Sequence, residues 1–336
     1  MFNATEIAMN PSSAQQVRIH AYGDAAALQL ETVELPPLAP TAVRVRNLAI
    51  GVNFVDIYHR TGLYPLPSLP SALGVEGAGI VEAVGDEVGT LSVGQRVAYA
   101  GLPAGSYASR RDLPAGCLIP LPETVSSEVA AGAMLRGMTA HMLFSYVHRI
   151  AAGDTVLIHA AAGGLGLVLV QWAKSLGARV IGTVGSRAKA ELALAHGLDR
   201  AVLYREEDFV AAVKDFTDGT GVAFAIDGIG GDTLLRTFDT VRPYGMLAST
   251  GQVAGTIAPI DINLLGPARS IALARPSVFR FMSDLERYRE GAAATLAHLE
   301  AGLRITVGKE LPLSAAAEAH RLLEAGETVG SLLLRP

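Results

Sequence analysis

Residues 160–166 read AAAGGLG and follow directly on the apolar run TVLIH. A strand that enters a Gly-rich turn and then opens a helix leaves unpaired backbone N–H groups aimed at one point, an arrangement suited to a pyrophosphate. The chain must lack bulk where it approaches that anion. Set against the dinucleotide fingerprint G-x-G-x-x-G, Gly163 and Gly166 hold the second and third positions, with Gly164 and Leu165 between them, and Ala161 holds the first. Gly166 lets the following helix lie close on the sheet, and Ala161 is compatible with the turn where its φ stays negative. Glycines that serve only helix–sheet packing would look the same. The strand before, the helix after and a second strand about twenty residues on favour a cofactor loop.

The second strand, ARVIGTVG, ends in GSRAK. An NAD site places a carboxylate there for the ribose 2′-hydroxyl. Ser186, Arg187 and Lys189 instead supply a hydroxyl and two cations, which suit a 2′-phosphate through charge-assisted hydrogen bonds. The expected cofactor is therefore NADPH rather than NADH.

The elements that must position these residues follow from the rest of the chain. A length of 336 residues implies two domains. A chain that is 18% charged, with net charge −5 and no block of like charges, reads as globular and offers no basic track for nucleic acid. Cys117 is the single cysteine, which excludes an intramolecular disulfide and a multi-cysteine zinc site and points to a reducing, cytoplasmic compartment. The first sixteen residues lack the basic start and apolar core of a secretory signal and read as a frayed tail. Thr155–Ala173 carries no charge and is long enough to span a bilayer, but His159, Gln171 and a central glycine pair favour strand, turn and helix, without membrane insertion.

Up to about residue 125, short β-like runs punctuated by Gly and Pro (VRVRNLAIGV, GAGIVEAVG, RVAYAG) indicate an irregular antiparallel β domain. Ser126 or Ser127 is placed to cap a helix over Glu128–Val147. From Asp154 strands and helices alternate, the pattern of a doubly wound parallel sheet. Past residue 275 the alternation stops, leaving helices in SDLERYREGAAATLAHLEAG and AAAEAHRLLEAG and a closing strand SLLLRP. The expected fold class is α/β: a Rossmann domain over residues 137–276 and a β-rich, GroES-like substrate domain built from 1–136 and 277–336.

NFVDIYHRTGLYP (53–65), LPSALGVEGAGIVEAVG (69–85), VGQRVAY (93–99), HAAAGGLGLVLVQWAKSLGARVIGTVGS (159–186) and YREED (204–208) together resemble the medium-chain dehydrogenase/reductase superfamily. More closely, they resemble its zinc-free branch of NADPH:quinone reductases and zeta-crystallins. In that branch AAAGGLG is similar to the usual loop. By the same resemblance, Asn53 and Val75 stand where zinc alcohol dehydrogenases carry a cysteine and a histidine ligand, and Val55 and Tyr58 replace their proton relay, so no metal is expected.

The resemblance implies a metal-free NADPH-dependent reductase of quinones or other conjugated carbonyls, a homodimer with the cofactor in an interdomain cleft. Asn53 is expected to hydrogen-bond the nicotinamide carboxamide or a quinone oxygen, although an asparagine there also suits a helix cap. Tyr58 and Tyr64 offer phenol donors, and Thr139 resembles a threonine facing the nicotinamide. Tyr204 resembles a residue near the adenine and 2′-phosphate. Gly251 and Gln252 stand in a departed form of a G-N-x-S-G loop along the cofactor. Asp227 reads as support for a strand end, and Glu76 as structural, bonding within its turn. The scattered histidines show no metal-like spacing. Two alternatives stand beside quinone reduction: reduction of an enal, enone or 2-enoyl thioester, and a non-catalytic, crystallin-like NADPH-binding protein.

Overall fold

The computed structural model describes residues 13–336. The chain divides into two compact units, one of Met1–Gly132, Lys309–Glu327 and Leu332–Pro336, the other of Ala133–Gly308 and Thr328–Ser331.

In the first unit, β1 (Ser13–Ile19), β2 (Gln29–Glu34) and β3 (Ala42–Val52) lead into helix α1 (Phe54–Thr61). Then come β4 (Ser71–Ala72), β5 (Glu76–Val84), β6 (Arg96–Ala100), β7 (Arg110–Pro114), β8 (Ile119–Pro120) and helix α2 (Ser127–Ala131). Ser13–Gln16, expected in a frayed tail, pair with Glu31–Glu34 as part of β1; the rest of that expected tail lies outside the described residues. Along β3, Val43 and Val45 are buried while Arg44 and Arg46 turn outward, the period-2 pattern of a strand with one face on a core. Arg44 is fixed by Asp112 of the neighbouring β7 at 2.8 Å.

Ser126 caps α2 as expected, its Oγ accepting from the Val129 N–H at 3.3 Å. The single helix expected over Glu128–Val147 is interrupted: α2 ends at Gly132 and α3 (Met134–Met142) begins beyond it, closing in a π-helical turn over Leu143–Val147. Glycine is a poor helix interior residue, and the unit boundary falls here, at 132/133 rather than 136/137.

The second unit continues with β9 (Thr155–Ile158), α4 (Gly164–Ser175), β10 (Arg179–Val184), α5 (Arg187–Ala195), β11 (Arg200–Leu203) and α6 (Phe209–Phe216). There follow β12 (Val222–Asp227), α7 (Gly231–Thr237), β13 (Val241–Ser249), β14 (Ala272–Ala274), α8 (Val278–Met282) and α9 (Leu285–Glu300). The six strands are all parallel in the order β11-β10-β9-β12-β13-β14, so the order reverses between β9 and β12 as in a Rossmann sheet. Leu157, Ile181, Val202, Phe209, Val213 and Leu247 are buried together in its core. The apolar run Thr155–Ala173 resolves into β9, the loop and α4, and no helix among the described residues is long and apolar enough to cross a membrane.

Residues 277–308, expected in the β-rich domain, belong to this second unit. The reason is helix packing through glycines. A Cβ on Gly137 of α3 would collide with the Thr295 side chain of α9, and one on Gly291 would lie 3.3 Å from Met138. Only from Lys309 does the chain return to the first unit, through β15 (Val307–Pro312), α10 (Ala316–Glu324) and β16 (Ser331–Arg335). There β16 runs antiparallel to β3, completing a seven-stranded sheet.

Candidate functional site

Because all six strands of the second unit are parallel, their C-terminal ends open on one edge, the usual ligand side of such a sheet. The glycine loop leaves β9 there. Ala160, not Ala161, takes the left-handed conformation, with φ +51°, and the Gly163 N–H closes the turn on the Ala160 carbonyl at 2.9 Å. An alanine in that region is strained, and the sheet holds it: the Ala161 N–H donates to Thr183 O at 3.0 Å. A Cβ on Gly166 would strike the Ala160 carbonyl and lie 2.8 Å from Ala161, and one on Gly182 of β10 would lie 2.6 Å from the Ala161 methyl. Both glycines are therefore demanded by packing of the loop on α4 and β10. Gly163 is the N-cap of α4, so Gly164, Leu165 and Gly166 form its first turn, whose backbone N–H groups have no partner within the helix. A Cβ on Gly164 would lie 2.6 Å from Nε of the buried Arg136.

Ser186 caps α5, its Oγ accepting from the Lys189 N–H at 3.4 Å. Arg187 is 82% exposed and stands 3.7 Å from Glu206, whereas Lys189 is half-buried. Tyr204 packs beside the end of β10: a Cβ on Gly185 would lie 3.2 Å from its hydroxyl. Ser186, Arg187, Lys189 and Tyr204 are thus brought together at a helix N-terminus, whose dipole adds to the two cations.

At the ends of β12 and β13, Asp227 accepts through Oδ1 from the N–H groups of Ile229 and Gly230 at 3.0 and 2.7 Å, so it supports the strand end as expected. Burial pushes its carboxyl up to about 6. A Cβ on Gly251 would lie 2.7 Å from the Gly228 carbonyl, and Arg275 holds Gln252 through Oε1 at 2.9 Å and Ser249 at 2.7 Å. Arg275 escaped the sequence reading because its partners lie more than twenty positions earlier. Thr139 spends its hydroxyl proton on the Leu135 carbonyl at 2.7 Å within α3.

In the first unit, Asn53 is the N-cap of α1. Its N–H donates to Asp56 Oδ2 and its Nδ2 to Glu76 Oε2, each at 2.9 Å. Glu76, read as bonding within its turn, reaches across to Asn53, and both are buried. The donation to Glu76 fixes the amide with Nδ2 toward that carboxyl group. Tyr58 is buried, with its ring edge-on to the exposed Tyr64 at 5.2 Å. The three candidates of this unit therefore share one helix and the turn after it.

His159 lies between Thr183 and Thr237 hydroxyls at 2.9 and 2.8 Å, and burial lowers its pKa to about 3, so it is a neutral core group. Among the described residues no three or more His, Cys, Asp or Glu are grouped as metal ligands.

Residues 39–144 match the family described as alcohol dehydrogenase GroES-like domain, and residues 164–297 the family described as zinc-binding dehydrogenase. A quinone oxidoreductase of Pseudomonas aeruginosa is 40% identical over 96% of this chain and 100% of its own length. A 2-haloacrylate reductase of Burkholderia sp. is 40% identical over 95% of this chain and 98% of its own. The crystal structure of Escherichia coli quinone oxidoreductase complexed with NADPH superposes with a TM-score of 0.91 at 38% identity, covering 96% of this chain and 100% of that one.

Proposed function

The chain belongs to the quinone oxidoreductase branch of the medium-chain dehydrogenase/reductase superfamily, and on that premise we propose how its residues divide the work of an NADPH-dependent quinone reductase. Gly164, Leu165 and Gly166 hold the pyrophosphate with backbone N–H groups at the start of α4, and Gly163, whose own N–H closes the turn, gives the anion room to approach. Ser186, Arg187, Lys189 and Tyr204 hold the 2′-phosphate. The observation that carries the cofactor choice is the α5 N-terminus, where Lys189 and Arg187 stand and β10 ends without a carboxylate. Thr139, Gly251 and Gln252 line the nicotinamide half. When bound, NADPH supplies the hydride. Asn53 orients the carboxamide or a quinone oxygen through the amide that Glu76 pins, and Tyr58 and Tyr64 hold phenol O–H groups for the developing oxyanion. A quinone accepts hydride without polarisation by a Lewis acid, so alignment is the residues' main task. Steady-state quinone reduction with NADPH and NADH tests this: NADPH is expected to be preferred, and equal or better use of NADH would refute the 2′-phosphate assignment.

A second reading, reduction of a conjugated carbon–carbon double bond, is favoured by the likeness to the 2-haloacrylate reductase. Product analysis separates the two, because a saturated acid or aldehyde formed faster than quinol would replace quinone as the acceptor. A homodimer is supported by the terminal position of β14 in its sheet and by Tyr244 and Ile262, 87% and 75% exposed. Light scattering should give twice the chain mass. The single cysteine supports a cytoplasmic location, to be checked by cell fractionation.

A further inference from the structure

One buried polar chain in the first unit is used by none of these roles. Arg60, on α1, is 2% exposed; Asp56, Tyr107 and His320 are fully buried. Arg60 Nη1 lies 3.2 Å from His320 Nδ1, His320 Nε2 lies 3.0 Å from Tyr107 Oη, and Tyr107 Oη lies 3.0 Å from Asp56 Oδ2. Arginine can only donate, so Nδ1 of His320 accepts and the ring proton sits on Nε2. That proton is given to the Tyr107 oxygen, and the phenol proton in turn to Asp56 Oδ2. The same Oδ2 accepts the Asn53 N–H at 2.9 Å. At the outer end, Glu324 takes Arg60 Nη1 and Nη2 at 3.2 and 2.5 Å. Every bond has one direction. Burial, with Arg60 beside it, lowers the His320 pKa to about 3, which keeps the ring neutral at neutral pH.

The chain ends on Asn53, which is held from two sides. Asp56 fixes the Asn53 backbone and Glu76 fixes its amide. Helix α1 has only eight residues, too few to hold its own geometry in isolation, so its N-terminus depends on tertiary ties. We propose that Tyr107 and His320 are positioning residues for the reduction: acting through Asp56, they set Asn53 and the helix that carries Tyr58 against the reacting groups. This rests on the reading that Asn53 and Tyr58 belong to the substrate site.

Tyr107→Phe keeps the ring and deletes the link. His320→Leu removes both hydrogen bonds, while His320→Gln offers an acceptor oxygen and a donor nitrogen in their place. With circular dichroism confirming folded protein at the assay temperature, Tyr107→Phe and His320→Leu should lower kcat for quinone by roughly tenfold, since small misplacements of aligning groups cost that much or more. The NADPH Kd, from fluorescence titration, should stay within about twofold. His320→Gln should recover most of the rate, and pH–rate profiles from pH 6 to 8 should remain parallel to the parent's, because the ring works as a neutral strut. A lowered unfolding temperature with unchanged kcat would overturn the proposal, as would equal losses in His320→Gln and His320→Leu or an ionisation missing from the profile. Asn53→Ala is measured alongside. Impaired Asn53→Ala with fully active Tyr107→Phe refutes the positioning role alone, and fully active Asn53→Ala refutes the site reading and the proposal with it.

Discussion

Replacing Lys189 by alanine should raise the KM for NADPH by about tenfold to thirtyfold and leave that for NADH within about twofold. The magnitude follows from where the ammonium stands. An exposed ion pair contributes roughly 0.2–1 kcal/mol, and a charge-assisted hydrogen bond sheltered from water about 1.5–3 kcal/mol. Lys189 is half-buried at the N-terminus of α5, which places it between those limits at about 1.5–2 kcal/mol, or a factor of about 10–30. Arg187 is 82% exposed and shares its charge with Glu206 at 3.7 Å, so Arg187→Ala should cost less than about 1 kcal/mol, a factor of roughly five or below. The assay is steady-state quinone reduction with each cofactor at two ionic strengths, where added salt should narrow the NADPH preference. Equal losses for NADPH and NADH in Lys189→Ala would refute the assignment of this lysine to the 2′-phosphate. A larger effect of Arg187→Ala than of Lys189→Ala would refute the ordering by burial.

Gly166→Ala puts a methyl against the Ala160 carbonyl and Ala161, so thermal unfolding should fall by several degrees, with about 1–3 kcal/mol of overpacking, and NADPH binding should weaken. Asp227 has a folded pKa raised to about 6 from 3.8, so its neutral form is the favoured one, and its contribution to stability is lost as pH rises between those values. Asp227→Asn keeps an acceptor for Ile229 and Gly230 and should therefore raise the unfolding temperature more at pH 8 than at pH 5. His59, His159 and His320 have folded pKa values lowered to about 4, 3 and 3 from 6.5. The unfolded chain then binds up to three more protons below pH 6.5, and stability from urea titrations should fall with acidification toward pH 4, by roughly 4 kcal/mol per pH unit at the steepest point. A flat profile would place these rings in water.

The local order of the chain is enough to announce the cofactor domain. TVLIH before AAAGGLG, an apolar helix after it and ARVIGTVG beyond are read by periodicity alone, and the observed parallel sheet follows from their alternation. GSRAK is equally local, because a cap and the residues after it lie within one turn. By contrast, the segment 277–308 carries helical periodicity that says nothing of which unit it packs on. Gly137 facing Thr295 settled that, across 158 positions of sequence (295 less 137). The placement of positive φ at Ala160 instead of the glycines also came from the fold, since Thr183 of the neighbouring strand holds the turn.

Residue types and short spacings by themselves determined the fold class, the glycine loop and the cations at the end of β10, because backbone geometry and capping act over a few residues. Only the tertiary structure decided that Glu76 turns the Asn53 amide and that Tyr107, Asp56 and His320 form one directed chain, whose members lie 51 and 213 residues apart. Buried polar groups must find partners wherever the fold brings them, and burial, which makes those partners obligatory, is a property of the packed chain and not of its order.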